Sequence, residues 1–445
     1  MIKIVMQTKR EQTQYRMTLL PSLESFIPDD HRLRKLNKVL DLDFIHESVR
    51  DYYCQDNGRP SIDPEVVIRL FLLQAIEGIT HVRELMREAH VNLAYRWFIG
   101  YEMDEDLPDH STLSRALDRL GDSVFNELFE RSISQCKRSN LIEGRVLHVD
   151  ATTIRADIDR SRVGKADSSD KDARFGRFPD GTLQPGYKQQ TVVDDGSRVV
   201  LEVSVDPANV NEGKGLSAAL EKASSRLDSP PEVVCADSAY ASGRNAAACD
   251  DEGIRLVSPP ATGKNQYSDE QFAIDKFEYD EKRDVFICPS GKMLSRAGRE
   301  NDKRRRWKYR ASARDCRDCS LKSECTRASS RVLRVTSYHS ATVNLRKDSQ
   351  SAEFKALYRR RAPVIEGIFA EGKQWHGLAR AWRRGLSKMR IQSLLISTVL
   401  NYKRLMSALS SLSSLLSAFI GVLKRFRALL GLIKIIERQT SSACL

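Results

Sequence analysis

The sequence lacks a long apolar segment free of polar residues. The first residues, MIKIVMQTKREQTQYR, contain no sustained apolar core of the kind that a secretory signal has. The nearest approach to a membrane span, residues 405–423, is uncharged, but it carries six serines and runs into KRFRALLGLIKIIER. We interpret it as a packing helix, and we expect no membrane partner and a cytoplasmic location, associated with the nucleoid.

The cysteines are mostly scattered, and no internal repeat is found. Of the nine cysteines, five are isolated and are typical of buried or free thiols in a cytosolic protein: Cys54, Cys136, Cys235, Cys249 and Cys444. This pattern does not favour a disulfide-stabilised secreted fold. The apolar content of 41% over 445 residues predicts instead a globular chain of two to three domains.

Positive charge is concentrated in two segments. Residues 352–445 hold 17 Lys and Arg against 4 Asp and Glu, and residues 292–334 hold 15 against 5. The two segments thus carry net charges of +13 and +10. Since the net charge of the whole chain is +12, the remaining residues carry 12 − 13 − 10 = −11. Two basic segments on an otherwise acidic protein favour a polyanion bound at defined places, although solvated basic faces remain the alternative.

The chain divides into five parts by composition and periodicity. Residues 1–140 read as helical, and GRPSIDPEVVIRLFLLQAIEGI followed by THVRELMREA resembles a helix-turn-helix in which Pro64 suits the first turn. We expect Ser111 or Thr112 to cap a later helix and Gly121 to end it. The predicted parts are a helical DNA-binding domain at 1–140, the first part of a core at 141–258, a basic insertion at 259–350, the second part of the core at 351–405, and an apolar helical tail at 406–445.

The segment 144–258 changes to short β-branched runs separated by Gly, Pro, Asp or Ser. The order of strands and helices, β-β-β-α-β-α-β, predicts an α/β fold built on a mixed sheet covered by helices. The polar loop at 157–186 is expected to be mobile, and residues 259–350 are expected to be irregular.

Two of these strands end in an aspartate. RVLHVD delivers Asp150 and EVVCAD delivers Asp237. Strand-end turns explain each residue alone. In a mixed sheet, however, neighbouring strands can present both carboxylates at one edge, where a divalent cation relieves their repulsion. Two Mg²⁺ or Mn²⁺ ions at such an edge suit phosphoryl transfer.

A third carboxylate is expected from a helix. Glu366 lies in the apolar stripe of RAPVIEGIFAEGK, where an acid is costly unless it binds something. Glu371 points about 140° away on an ideal helix. The plainer alternative is that these acids cap helices or pair with Arg361 and Lys373.

Four cysteines cluster in the insertion. Cys288 stands alone in CPSGK, and CRDCSLKSEC supplies Cys316, Cys319 and Cys325. The count suits a structural zinc ion, and reduced free thiols are the alternative. NDKRRRWKYR mixes basic residues with Trp307 and Tyr309, which suits phosphate contact and base stacking, as Trp375 and Trp382 near Arg383 and Arg384 also would, although packing explains the tryptophans as well.

The order and spacing of these pieces resemble the DDE transposases of bacterial insertion sequences, over about residues 20–405. The motifs that carry the resemblance include GRPSIDPEVVIRLFLLQ, LHVDATTIRA, GYKQQTVVDDGSRVV, DPANVNEGKGL, VVCADSAY, YRRRAPVIEGIFAEGK and RGLSKMRIQSLLISTVLNYKRL. The resemblance implies a ribonuclease-H-like mixed sheet with helices on both faces, preceded by the all-α domain and interrupted by the cysteine-bearing insertion. It also implies a metal-bound triad of Asp150, Asp237 and Glu366.

The same resemblance implies that the chain would cleave DNA strands and transfer them at the ends of its own insertion sequence. Double-stranded DNA, as terminal inverted repeats and as target, is the expected partner, and a homodimer is the expected working form. The expected DNA contacts are Arg115, Arg119, Lys188, Arg304, Arg305, Arg306, Tyr358, Arg361, Lys373, Arg383 and Arg384. A catalytically inactive DNA-binding protein or regulator on the same scaffold is the alternative.

Three positions differ from the usual pattern of that family. Ala151 replaces the glycine that usually follows the first aspartate, and Glu212 replaces an aspartate in NVNEGKG. One extra residue separates Arg361 from Glu366, with Pro363 inside the interval. The helix register at Glu366 is the feature that these differences affect most.

Overall fold

The computed structural model describes residues 22–53, 61–260, 272–299 and 306–411. Its helices are α1 Leu23–Phe26, α2 Arg32–Val39, α3 Ile45–Ser48, α4 Pro64–Glu77, α5 Val82–Val91, α6 Leu93–Ile99, α7 His110–Arg138, α8 Leu216–Ser224, α9 Gly243–Asp251, α10 Ala313–Arg317, α11 Lys322–Cys325, α12 His339–Asp348, α13 Ala352–Arg361, α14 Gly367–Trp375 and α15, residues 386–411. Short 3₁₀ turns lie at Arg50–Tyr52, Arg160–Arg162, Glu212–Gly215, Ser238–Tyr240 and Ile274–Lys276, and a π turn spans Ala362–Glu366.

The first seven helices form an apolar bundle around α4. Asp63 caps α4 by accepting a hydrogen bond from the Glu65 amide (2.8 Å), and Pro64 starts the helix where its missing N–H costs nothing. Gly78 ends it in the left-handed region at φ 66°. The helix-turn-helix pattern of α4 and α5 is therefore present as predicted.

The start and the interruption of α7 follow local chemistry. Its cap is Asp109, which accepts from the Ser111 amide (2.8 Å), so the prediction of Ser111 or Thr112 as the cap was wrong. An aspartate at this position accepts a hydrogen bond from an otherwise unpaired backbone amide, and its negative charge is stabilised by the positive end of the helix dipole. Gly121, at φ 69°, breaks α7 within its length, at the position where the sequence predicted an end.

The core is a six-stranded mixed sheet. Its strands are β1 Val146–Arg155, β2 Arg174–Arg177, β3 Leu183–Asp194, β4 Val200–Pro207, β5 Val233–Ala236 and β6 Arg255–Val257. They run in the order β2-β3-β1-β5-β6, with β4 also paired to β3. The pairs of β1 with β5 and of β5 with β6 are parallel, and those of β3 with β1, β2 and β4 are antiparallel.

Helices cover both faces of this sheet. α13 packs on the face that holds Cys235, and α8 packs against β3 and β4 from the other face. The five predicted strands and the two helices between them are present in the predicted order. The predicted α/β fold, a mixed sheet with helices on both faces, is confirmed.

The connection from β1 to β3 has more structure than the sequence indicated. It contains β2, and its Asp170 is buried and accepts a hydrogen bond from the Tyr187 hydroxyl (2.6 Å). Asp172 accepts from the Leu386 amide (2.8 Å) at the start of α15. These contacts tie to the core a segment that we expected to be mobile.

The insertion forms a second sheet, so the expectation of an irregular segment was wrong. Five antiparallel strands run in the order β11-β10-β9-β8-β7: β7 Glu278–Asp280, β8 Val285–Ile287, β9 Met293–Arg299, β10 Trp307–Ala311 and β11 Val332–Val335. Phe286, Leu294 and Leu333 are fully buried in its own small core. Such short strands are stable only when they are paired and share an apolar face, which local sequence does not reveal.

The tail beyond residue 411, which includes most of the apolar stretch at 405–423, lies outside the described residues. Among the described helices, none has the length and apolar character that crossing a membrane requires.

Candidate active site

The two strand-end aspartates lie side by side. β1 and β5 are parallel with Val149 opposite Ala236, so the next residue of each chain segment places Asp150 beside Asp237. Both side chains then point to the same face of the sheet, because side chains alternate between faces along each strand and paired residues share a face. The Asp237 carboxylate also caps the Ser238–Tyr240 turn by accepting from the Ala239 amide (2.9 Å).

A third acid, Glu212, joins these two. Single carboxylate oxygens of Asp150, Glu212 and Asp237 all lie within 4.8 Å of one another, and this is the only such set of three potential ligands in the described ranges. Glu212 starts the 3₁₀ turn between β4 and α8. In the sequence, Glu212 stands out only as a departure from the family pattern. The signal that could have identified Glu212 is an acid in a glycine-bearing turn a few residues after the end of β4.

Arg361 faces the cluster from α13. Its guanidinium donates to the Asp150 carboxylate (2.6 Å), and the side chains are only 10% and 14% exposed. Burial raises the pKa of Asp150, and the Arg361 charge opposes that rise. The neighbouring Arg360 pairs with Asp195, which also contacts the buried His148 (2.7 Å). Consecutive arginines therefore hold α13 against the sheet.

Glu366 lies near Arg361 and outside the three-acid set. Its carboxylate is 3.8 Å from the Arg361 guanidinium, and its side chain is 61% exposed. The π turn explains this placement. A π turn stacks residues five apart as an α turn stacks residues four apart, so the extra residue between Arg361 and Glu366 is absorbed within one turn. The rival acid Glu371 is paired with Lys403 and Arg404.

The remaining predicted DNA contacts fall into three groups. Arg115 and Arg119 are exposed on α7, and Tyr358 lies beside Arg361. Lys373 is half-buried, and burial together with Arg155 lowers its pKa. The third group is paired within the chain: Lys188 with Glu212 (2.8 Å), Arg383 with Asp118 (2.9 Å) and Arg384 with Asp157 (3.5 Å).

The basic segment of the insertion is described only in part. Arg304 and Arg305 lie outside the described residues, and Arg306 directly precedes β10. Trp307 on β10 lies under the Arg296 guanidinium at 3.4 Å. Trp375 is 60% exposed, whereas the Trp382 indole donates to the Gly377 carbonyl (3.2 Å) and is packed.

The four clustered cysteines line one small cavity. Cys288, Cys316, Cys319 and Cys325 surround a space of about 20 Å³ in the second sheet's domain, and all four are free thiols. Burial raises the pKa of Cys325. No three of the four sulfurs lie within 4.8 Å of one another, so the thiols share a cavity without being gathered around a common point.

Comparison with known proteins identifies two domains. Residues 21–119 match a transposase domain (DUF772), and residues 287–406 match a transposase DDE domain. The second match includes Glu366 and the four cysteines, while Asp150 and Asp237 lie before it. No curated protein matches the sequence.

Solved structures of transposases on DNA are also similar, at a low level. A piggyBac transposase synaptic complex with hairpin DNA is 11% identical, with 84% of this chain and 75% of that chain covered and a TM-score of 0.35. A Mos1 transposase paired-end complex with the left transposon end is 11% identical, with 46% and 62% covered and a TM-score of 0.17. The two domain matches, and not these weak similarities, support an insertion-sequence DDE transposase, and the DDE domain indicates a DNA transposase that uses divalent metal. The described residues also contain a cluster of acidic side chains.

Proposed function

We propose that the chain cleaves DNA strands at the ends of an insertion sequence and joins them to target DNA, with Asp150, Asp237 and Glu366 as its catalytic acids. The observation that carries the proposal is the meeting of Asp150 and Asp237 at adjacent parallel strand ends, opposite a helix that presents basic side chains. At this edge of the sheet, metal-binding carboxylates lie beside a basic side chain, Arg361, that could bind a phosphate of the DNA backbone.

The acids suit two magnesium or manganese ions. Hard divalent cations prefer carboxylate oxygens, and two close carboxylates repel each other until a cation lies between them. When bound, such ions would supply an activated water and a stabilised leaving oxygen. Burial raises the pKa of Asp150 because its charged form loses hydration, and a bound cation would offset that loss.

Glu366 is proposed as the third acid because of its link to Asp150 through Arg361. Arg361 contacts both carboxylates, at 2.6 Å for Asp150 and 3.8 Å for Glu366. The exposed Glu366 side chain is free to turn toward the two aspartates once Arg361 engages a DNA phosphate. Tyr358 and Lys373 on the same helical segment extend the phosphate-binding surface.

DNA contacts are proposed for two further regions. Exposed Arg115 and Arg119 of α7 belong to the helical domain that would read the terminal inverted repeats. The insertion, with Arg304, Arg305 and Arg306, and the basic C-terminal segment would hold phosphates of the element or of the target. Both ends must be processed together, so a homodimer on DNA, acting in the cytoplasm at the nucleoid, is the proposed working form.

A structural zinc ion is proposed for the four cysteines. They line one cavity and match the number of ligands that tetrahedral zinc requires. The sulfurs would have to move closer together around the ion. Zinc would then join the loop before β9 to α10 and α11.

Strand nicking tests the proposed function. We expect Mg²⁺-dependent nicking of a duplex that contains the element end, and a loss of at least about 100-fold in the Asp237→Asn variant, because a neutral amide cannot take the place of a metal-binding carboxylate. Asp228→Asn is the matched control, since Asp228 is 88% exposed and pairs with Lys137 away from the site.

Two outcomes would contradict the proposal. Equal nicking by the wild type and by Asp237→Asn would reject the assignment of the acid. Salt-sensitive DNA binding by the wild type without any Mg²⁺-dependent nicking would favour the inactive DNA-binding protein instead.

A further inference from the structure

Lys188 has a partner that its sequence context did not predict. It lies on β3, opposite Thr153 of β1, and its ammonium group is 2.8 Å from the Glu212 carboxylate. The same ammonium group donates to the Val210 carbonyl (3.0 Å). With only 16% of the side chain exposed, Lys188 is bound to the turn that carries Glu212 rather than extended toward solvent.

The turn that carries Glu212 is fixed to the turn that carries Asp237. A Cβ added at Gly213 would lie 2.6 Å from the Ala239 carbonyl oxygen, so the two backbones approach as closely as only glycine permits. The buried Asn245 amide donates both to the Gly213 carbonyl (2.9 Å) and to the Tyr240 carbonyl (3.0 Å). These contacts set the distance between the two acids.

The same turn is also held from the sheet below. The Gln190 side-chain amide donates to the hydroxyl of Tyr240, in the turn that carries Asp237 (3.1 Å). A Cβ added at Gly215, in the turn that carries Glu212, would lie 2.5 Å from the side-chain oxygen of Gln190. Lys188 and Gln190 are both on β3, two residues apart, and so on the same face. β3 therefore supports the Glu212 turn at two points.

We propose that Glu212 is a further carboxylate ligand of the metal site and that Lys188 is a positioning residue that holds it there. The inference rests on the proposed function, which places the metal ions at Asp150 and Asp237. The DDE domain, and not the cluster of acids, is the reason to expect a metal at all. What the geometry adds is a fixed third carboxylate within 4.8 Å of Asp150 and Asp237, with a cation that neutralises and orients it. Outer partners of this kind usually alter metal affinity by about 10–100-fold.

The experiment is a Mn²⁺ titration of the full chain without DNA, followed by the electron paramagnetic resonance of free Mn²⁺. We expect Glu212→Gln and Lys188→Met each to weaken Mn²⁺ binding by about tenfold or more. Because Lys188 acts through Glu212, the double variant should bind Mn²⁺ no more weakly than Glu212→Gln alone. Glu232→Gln is the matched control, since Glu232 also pairs with a cation, Arg145, but is exposed and lies elsewhere.

A second measurement does not depend on substitution. Fe²⁺ bound at the site, with ascorbate and peroxide, cuts a protein backbone near its ligands. In the wild-type chain we expect cuts near residues 150, 212 and 237. Absence of the cut near residue 212, with the other two present, would overturn the proposal whatever the stability of the variants.

The other outcomes also decide the matter. Unchanged or tighter Mn²⁺ binding by either single variant, or a double variant whose loss is the sum of the two, would overturn the proposal. Unchanged Mn²⁺ binding with weaker DNA binding in Lys188→Met would make Lys188 a phosphate contact. Asp237→Asn separates this from a failure of the proposed function: if it abolishes nicking and Mn²⁺ binding while Glu212→Gln changes neither, the function stands and the role of Glu212 falls.

Discussion

Asp150 is the residue whose environment most constrains the site. Its side chain is 14% exposed, and burial raises its pKa because the charged form loses hydration. Arg361 offsets that cost with a direct ion pair (2.6 Å). A buried carboxylate of this kind needs a cation beside it, and either a guanidinium or a metal ion meets that need.

Replacing Arg361 tests this exchange. We expect Arg361→Met to lower the thermal unfolding midpoint without metal, since breaking a buried pair leaves a charge unpaired at a cost of about 3–5 kcal/mol. Ca²⁺ should raise the midpoint of the variant more than that of the wild type, because the ion takes the place of the lost cation. The measurement is differential scanning fluorimetry with and without Ca²⁺.

The neighbouring residue supplies the control. Arg360→Met removes a pair with Asp195 instead, so its loss of stability should not be recovered by Ca²⁺. Equal recovery in the two variants would mean that Arg361 and the metal do not share Asp150.

At the scale of elements, the π turn at Ala362–Glu366 is the feature that sets the register of Glu366, the proposed third catalytic acid. It follows α13 directly and packs against β1. Without it, the extra residue would rotate Glu366 by about 100° from the position it has relative to Arg361. The π turn thus keeps Glu366 on the same side of the helix as Arg361, although one more residue separates them.

Changing the length of this turn tests its role. Deleting Ala362 should give an ordinary α turn and retain nicking within about tenfold, because Arg361 and Glu366 remain one turn apart. Inserting one alanine after Ala362 should reduce nicking by about 100-fold or more, since misplacement of a catalytic group by an ångström costs about that much. Loss of nicking in the deletion with retention in the insertion would contradict this account.

At the scale of the whole molecule, the helical domain rests on the end of the helix that follows Glu366. Gly78, at the end of α4, would bring a Cβ within 2.6 Å of the Trp375 carbonyl oxygen. The buried His376 contacts the Ala75 carbonyl through its Nδ1 atom (2.8 Å). The end of α4 and the end of α14 therefore form one contact between the matched transposase domain and the matched DDE domain.

A pair of glycine substitutions measures this contact. Gly78→Ala should destabilise the chain by more than Gly100→Ala, which shares its left-handed backbone (φ 66° and 75°) but has nothing within 4 Å of the added Cβ. The left-handed strain, about 1–2 kcal/mol, is common to both, so the difference reports the domain contact. Urea unfolding checks it, and equal losses would show that the contact contributes nothing.

Local chemistry made part of this structure predictable from the sequence. Strands rich in β-branched residues and ending in aspartate identified Asp150 and Asp237, and Pro64 located the start of α4, because such signals act over a few residues. The parallel pairing of β1 and β5 then brought the two aspartates together, as the pattern of the strands indicated. The order of elements in the core was determined in the same way.

Only the tertiary structure decided the rest. The second sheet pairs strands across residues 278–335, and Lys188 meets Glu212 across 24 residues, 212 − 188, so neither follows from local propensity. Lys188, Arg383 and Arg384 look like free cations in sequence, but the fold brings a carboxylate to each. The physical reason is that ion pairs and strand pairs depend on distances in space, which the covalent chain leaves open until the core has packed.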